Sequence, residues 1–419
     1  MKKNKVLFAF TSILSITLIA SCDSAEKKID YQDGNAIVTA TKERTKADLV
    51  ELSNKDIFGA TASASVEGKV DLNFKNTILG QTIEMGVKAN VKAEAEAQTN
   101  QDLAGLRKYE NGNADISNCE SYTKAAVSGQ YEVSGIPEMT SSTDSSTSSE
   151  PTKIELIAEA YQKGATSTTR TTKNGETTTN SSTMDQDETN EYAQAIFDFL
   201  KDTTIREDAK PDLPADVDLS VFEEAAKKIE AFKNKEITAE ELVNYIDQNV
   251  FKGGLFANAT EKDKQYVIDL VNSYDKYDYT KYVTFTKATT KNQLVLKSSF
   301  KYEDWKTSFT NVCEELSKTY TDSTYAKMVN EAIIPSLPTT LVFNYSLYIS
   351  DKGNGAINGA DFEFAANGSI KVPSDFSPLA DSSIIAMLAG GTLTYDVSLK
   401  GNFNLSYGDT AVTVKTLEK

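Results

Sequence analysis

Ala62-Ser63-Ala64-Ser65-Val66-Glu67-Gly68-Lys69-Val70-Asp71-Leu72-Asn73-Phe74 alternates without a break between apolar or small residues and polar ones. Successive side chains of an extended strand point to opposite faces, so a period of two predicts a strand with one dry and one wet face. After residues 76–81 a second alternation puts Ile83, Met85, Val87, Ala89, Val91, Ala93 and Ala95 on one face. Glu84, Lys88, Lys92, Glu94 and Glu96 fall on the other, and the two segments read as a long hairpin. Setting Asp71 opposite Lys88 and Glu67 opposite Lys92 places unlike charges across the wet face, which selects that register. On the dry face the side chains shrink from Leu72, Phe74, Ile83 and Met85 near the turn to Ala62, Ala64, Ala93 and Ala95 at the far end. Small side chains there admit another element closely or leave a cavity.

Outward from this hairpin, a strand is predicted over 122–133, then a Ser/Thr-rich loop over 139–152. Lys173-Asn174-Gly175-Glu176 is a strong hairpin turn, and its Thr-rich arms carry so few apolar residues that they are expected to project into solvent. From Asn190 the period changes to 3.6, predicting helices near 190–201 (Ala193, Ile196, Phe197, Leu200), 219–233, 239–250 and 261–275. Thr238 and Glu241 form a capping box. Strands return on either side of Lys291 and Asn292, followed by helices near 303–320 and 323–334, the latter closed by Pro335. Strands over 341–349, 362–366 and 393–405, a short helix over 379–389, and a last strand with Val412 and Val414 complete the chain.

The order of strands, helices and strands has no βαβ rhythm, which argues against a parallel nucleotide-binding sheet. The expected fold is α+β: a mainly antiparallel, curved sheet of long amphipathic strands, packed by a central group of helices. Its parts are a strand-rich 46–188, a helical 189–280 and a strand-rich 281–419, forming one domain or two.

The N-terminus carries an address. Lys2, Lys3 and Lys5 precede an apolar stretch from Val6 to Ile19, the proportions of a signal peptide over 1–21 and short for a permanent span. Ile19-Ala20-Ser21-Cys22 resembles the lipobox of bacterial lipoproteins. That resemblance implies cleavage after Ser21, a diacylglycerol on the Cys22 sulfur and acylation of the new amino group, palmitate being a typical chain. Several acyl chains anchor durably where one is marginal. Residues 22–45, charged and poor in apolar side chains, read as a flexible tether. Asp23 is similar to an inner-membrane retention signal of enteric bacteria, a rule that differs between phyla and leaves either membrane of the envelope open.

Composition removes whole classes of activity. The chain has 44 Lys+Arg against 61 Asp+Glu, a net of −17, and loss of the signal takes three lysines and no acid. Such a charge repels phosphate backbones, so no nucleic-acid partner is expected. Histidine is absent, which rules out Ser-His-Asp and Cys-His triads, His-ligated zinc and imidazole general bases. Beyond Cys22 only Cys119 and Cys313 remain. Export permits a disulfide between them, but Cys313 lies on a helical stripe with Trp305, Phe309, Val312 and Leu316, where a packed thiol fits equally well.

Ser121 with Lys124, and Ser298 with Lys301, match the Ser-x-x-Lys spacing of penicillin-recognising enzymes, but they fall in strands and lack the companion motifs. Adjacent acids such as Glu223 and Glu224, Glu240 and Glu241, and Glu314 and Glu315 diverge by about 100° on a helix and face no common substrate. Tyr274, Tyr277, Tyr279 and Tyr282, interleaved with Asp and Lys, offer a candidate ligand surface for a sugar or peptide. No cofactor or metal site is expected.

The leading functional expectation is a noncatalytic, membrane-anchored envelope lipoprotein acting in binding, surface interaction or envelope structure, with a protein, glycan or lipid as partner. The alternative is a carrier of lipid or another hydrophobic ligand between curved sheet and helices, which predicts an empty cavity beside Ala62, Ala64, Ala93 and Ala95. A carboxylate-dependent enzyme comes third.

Overall fold

The computed structural model describes residues 27–78, 81–135, 151–201, 219–290, 292–351, 355–371 and 390–417. Among them are β1 (Lys27–Ile29), β2 (Ile57–Ile78), β3 (Gln81–Asp102), β4 (Glu120–Ser134), β5 (Thr152–Lys163), β6 (Thr166–Lys173), β7 (Glu176–Thr183), β8 (Val283–Thr289), β9 (Gln293–Phe300), β10 (Thr340–Ser350), β11 (Ile357–Lys371) and β12 (Thr392–Gly408). They form one antiparallel sheet in the order β1-β8-β9-β10-β11-β12-β2-β3-β4-β5-β6-β7. The fold is α+β with a curved sheet that does not close. The longer helices are α1 (Tyr31–Leu52), α2 (Gln186–Lys201), α3 (Leu219–Lys233), α4 (Ala239–Asn249), α5 (Glu261–Asn272) and α6 (Tyr302–Thr319).

The long hairpin takes the expected register, with Asp71 opposite Lys88 and Glu67 opposite Lys92, although Lys92 turns to Glu94 for its ion pair. The two strand-rich parts of the chain meet at β12 and β2, paired from Thr392 opposite Lys75 to Gly408 opposite Gly59. They are therefore one sheet. The Asn174-Gly175 turn also forms, with positive φ at both residues (49° and 87°) as a two-residue hairpin loop requires. Its Thr-rich arms are paired into the sheet, and the outer one, Glu176–Thr183, is exposed along its whole length as expected. They are β6 and β7, which extend the sheet beyond β5.

The sequence read as a tether over 22–45 requires correction, because α1 begins at Tyr31. Asp30 caps it, accepting from the Asp33 N–H at 2.7 Å. Ile37 and Val38 pack on the core of Phe285, Leu294, Leu296, Leu347 and Ile349. Fifteen residues further on, Leu52 joins Leu49 in a second core with Phe58, Leu103, Ile196 and Phe197. At Gly34 a Cβ would stand 2.3 Å from the Phe285 ring, so only glycine lets the helix lie this close. Close approach of backbone replaces side-chain bulk on this face, and the segment looked apolar-poor for that reason.

The central helices divide. Ala193, Ile196, Phe197 and Leu200 of α2 are all buried in the second core, as their spacing predicts. The capping box of Thr238 and Glu241 opens α4. α4 and α5 pack with one another around Ala239, Val243 and Ile268, and α5 and α6 join residues 324–334 around Tyr266, Cys313, Ala326 and Val329. The helices cover the sheet from several places: α1 lies against β8 and β11, α2 packs in the core with Phe58, and α6 and the turn Ile334–Ser336 lie against β10 and β11. The helix near 323–334 runs through a π-helical turn, Val329–Ile333, and ends at Ser336, one residue after Pro335.

Val412 and Val414 do not form a strand, because β12 already has partners on both sides. The tail instead crosses β3. The Asn100 side-chain amide donates to the Val412 carbonyl at 2.6 Å, and its oxygen accepts from the Val412 N–H at 2.7 Å. Gly59 admits the crossing, since a Cβ there would lie 2.0 Å from the Thr410 carbonyl oxygen. The short helix over 379–389 and most of the loop over 139–152 fall outside the described residues.

Candidate functional site

The alternation of the long hairpin aligns small side chains on the inner face of seven neighbouring strands. One registered row is Tyr407, Ala60, Thr99, Ser121, Gln162, Ser167 and Ser182 from β12 to β7. The next is Leu405, Ala62, Ala97, Thr123, Ala160, Thr169 and Asn180. Side chains no larger than threonine on most of these positions cannot reach the helices opposite. Lys42, Thr45, Lys46 and Leu49 of α1 line the other side, with Tyr192 and Phe199 of α2. The result is a partly enclosed cavity of about 640 Å³, within the roughly 300–1,000 Å³ typical of small-molecule sites.

Alanines, Phe58, Phe403, Leu405 and Met184 make the lining largely apolar, and hydroxyl and amide groups of β3 to β7, with Lys42, Thr45 and Lys46 of α1, supply its polar part. The cavity reaches Ala62 and, in the row of Ala64 and Ala95, Phe403, whereas Ala64, Ala93 and Ala95 themselves do not line it. Past those rows the inner face continues as an apolar trough through Phe343, Phe364, Leu399, Gly68, Val91, Gly129 and Ile154. Phe343, Leu399, Val91 and Ile154 remain 47, 39, 43 and 44% exposed there.

Alternation also separates the Ser-x-x-Lys pair of β4. Ser121 faces the cavity, and Lys124, three residues on, points to the opposite face. Among the described residues no cluster of three or more acids or cysteines is placed to hold a metal ion, and no helix is long and apolar enough to cross a membrane.

The four tyrosines come together, but mainly to serve packing. Tyr274 donates to Asp278 at 2.9 Å, Tyr277 to the Leu270 carbonyl at 2.7 Å and Tyr282 to the Lys276 carbonyl at 3.1 Å. The Tyr277 ring meets Tyr274 and Phe309 edge-on at 5.7 and 5.3 Å, and Trp305 Nε1 donates to its carbonyl. Burial pushes the Tyr274 and Tyr277 hydroxyls well above their usual range. Tyr279, 43% exposed, sits beneath the Lys233 ammonium, 5.3 Å from its ring. This is a joint between helices and sheet, with most of its polar groups already satisfied.

The possible disulfide is corrected as well. Cys119 and Cys313 are both free and buried, one in the core under α2 and the other in the core of α5 and α6. Burial raises each thiol to about 11, leaving inert packing groups.

The cavity residues of α1 are what sequence reading missed. Asp30 with Asp33 three residues later was a usable start signal, and Thr41, Thr45, Leu49 and Leu52 keep helical spacing. No protein-family model, curated protein or solved structure matches this chain.

Proposed function

We propose that this chain is a noncatalytic cell-envelope lipoprotein, anchored through Cys22, that binds a hydrophobic ligand between α1 and the sheet. The observation that carries the reading is the cavity of about 640 Å³, lined largely by apolar groups and continuous with an exposed apolar trough. A folded chain gains by burying such surface, and a ligand supplies the partner that no described side chain does.

Magnitudes favour a long chain over a small ring. Burial contributes about 0.8 kcal/mol per CH₂, so roughly sixteen methylenes give about 13 kcal/mol gross. Association costs on the order of 4–15 kcal/mol. A short apolar ligand would bind weakly, whereas an acyl chain lying along the sheet reaches useful affinity.

The test is native mass spectrometry of the mature protein released gently from its membrane, with solvent extraction of the same sample. One acyl-chain ligand per protein is expected, exchangeable for added oleyl alcohol. A protein that carries no lipid and takes up no oleyl alcohol would remove the carrier reading and leave display or contact at the envelope.

A further inference from the structure

The charge of the cavity runs against that of the chain. Acids outnumber bases 61 to 44 overall, yet the described lining contains Lys42 and Lys46 and no carboxylate. The two lysines are one turn apart on α1, so their side chains rise from one face. Their neighbours are matched: Arg44 with Asp48 at 2.8 Å, and Lys55 with Glu51 at 3.5 Å. Among the described residues Lys42 and Lys46 have no such partner, and both are exposed, so two ammonium groups stand at the water-facing rim of an apolar cavity.

A second observation is independent of the lysines. Tyr407 lines the same cavity, and its hydroxyl is buried with no hydrogen-bond partner among the described residues. Leaving such a group unsatisfied costs about 1–3 kcal/mol, which an acceptor brought by a ligand would recover. Burial, with Asp48 nearby, keeps this hydroxyl protonated up to about 12, so it offers a proton and never a charge. The cations stand on α1, the spare donor Tyr407 stands on β12, and the sheet residues of the lining carry no charge.

Resting on the carrier reading, we infer that the cavity takes an anionic amphiphile: one long acyl chain along the alanine and threonine floor, with its carboxylate or phosphate head group held by Lys42 and Lys46. Neutral oils of the same length lack the ion pairing and bind less well. Free phosphate lacks the chain and binds least.

The experiment titrates the full mature protein with oleate, oleoyl lysophosphatidate, oleyl alcohol and inorganic phosphate, each amphiphile below its micelle concentration, by displacement of a neutral fluorescent acyl probe. Both anionic lipids should bind at least tenfold more tightly than oleyl alcohol, with phosphate inactive. The double variant Lys42→Gln/Lys46→Gln should bring oleate and oleoyl lysophosphatidate down to the affinity of oleyl alcohol, and Ala160→Trp should weaken all three lipids. The two lysines are exposed, so their loss leaves folding intact. Equal affinity of the native protein for oleate and oleyl alcohol would overturn the head-group assignment and spare the carrier reading. Failure of all three lipids to bind sinks both. If oleate binding depends on the lysines but not on Ala160→Trp, or if phosphate alone competes, the lysines form a surface anion site and the inference is wrong.

Discussion

The Thr45 hydroxyl accepts a hydrogen bond from the backbone N–H of Ile357 at 3.0 Å, joining the middle of α1 to the first residue of β11. The same oxygen donates to the Thr41 carbonyl at 2.8 Å. This bond sets the height of the cavity roof together with the packing of Ile37, Val38, Leu49 and Leu52.

Replacing Thr45 with alanine strands the Ile357 N–H and should cost about 1–3 kcal/mol. Thr45→Ser, which keeps the oxygen, should cost less than half of that. Trypsin should then cut after Lys42, Arg44 and Lys46 faster in the alanine variant than in the serine one. Equal cleavage rates would mean that the bond does not hold the roof.

Filling the cavity should separate binding from stability. A ring at Ala97 has free volume to enter, so the overpacking penalty of about 1–3 kcal/mol for a filled core should be largely avoided. Ala97→Phe should retain a melting temperature within a few degrees of the native value and lower acyl-probe affinity at least tenfold. A large fall in melting temperature with unchanged affinity contradicts the cavity's role.

Two carboxyls, Asp361 half-buried and Asp263 buried, should give stability profiles of opposite sign. Burial raises Asp361 to about 6, against the pull of the Tyr348 hydroxyl and Lys297, and its Oδ1 has no partner among the described residues. Its pKa is higher folded than unfolded, so the stability from protonation is full below about 3.8 and lost as the pH rises through about 6. Asp361→Asn should therefore stabilise the protein at pH 8, by about 1 kcal/mol once solvent screening is allowed for, and not at pH 4. Burial also opposes ionisation of Asp263, but hydrogen bonds from Ser323, Thr260 and the Tyr325 N–H outweigh it and hold this carboxyl well below its usual range. Its contribution is present above the ordinary 3.8 and lost as the pH falls, so Asp263→Asn should destabilise most above pH 5. Melting curves from pH 4 to 8 check both signs.

Neither Cys119 nor Cys313 should react with an aqueous thiol reagent in the native state. Both are essentially inaccessible, at 1 and 0% exposure. Labelling should proceed at the rate of global opening, reach two groups per chain in denaturant, and be unaffected by a reductant. Prompt native labelling of either would show that its core opens locally.

Cys22→Ser should yield a soluble protein or an uncleaved precursor. Membrane fractionation and the mass of the N-terminal peptide distinguish these from a normally processed, membrane-bound product, which would exclude lipidation at Cys22.

How much of this was readable depends on the range of the interaction. Ala62 to Phe74 showed a strand, and the charges of Asp71, Lys88, Glu67 and Lys92 were enough to select its register. The stripe on α2, the Thr238 capping box and the Asn174-Gly175 turn were equally legible. Each depends on residues a few positions apart, or on two strands joined by a short turn, where side-chain period and backbone geometry act directly. The proposed anchor at Cys22 rests on sequence alone. By contrast, the union of β12 with β2, the placing of α1 on the sheet, the separation of Cys119 from Cys313 and the Asn100 clamp on Val412 are contacts between distant parts of the chain. Thr45 and Ile357 are 312 residues apart. Such contacts leave no period in the sequence. They follow from which surfaces remain uncovered once the local elements have formed, and the cavity, a space that small side chains fail to fill, exists only when sheet and helix have met.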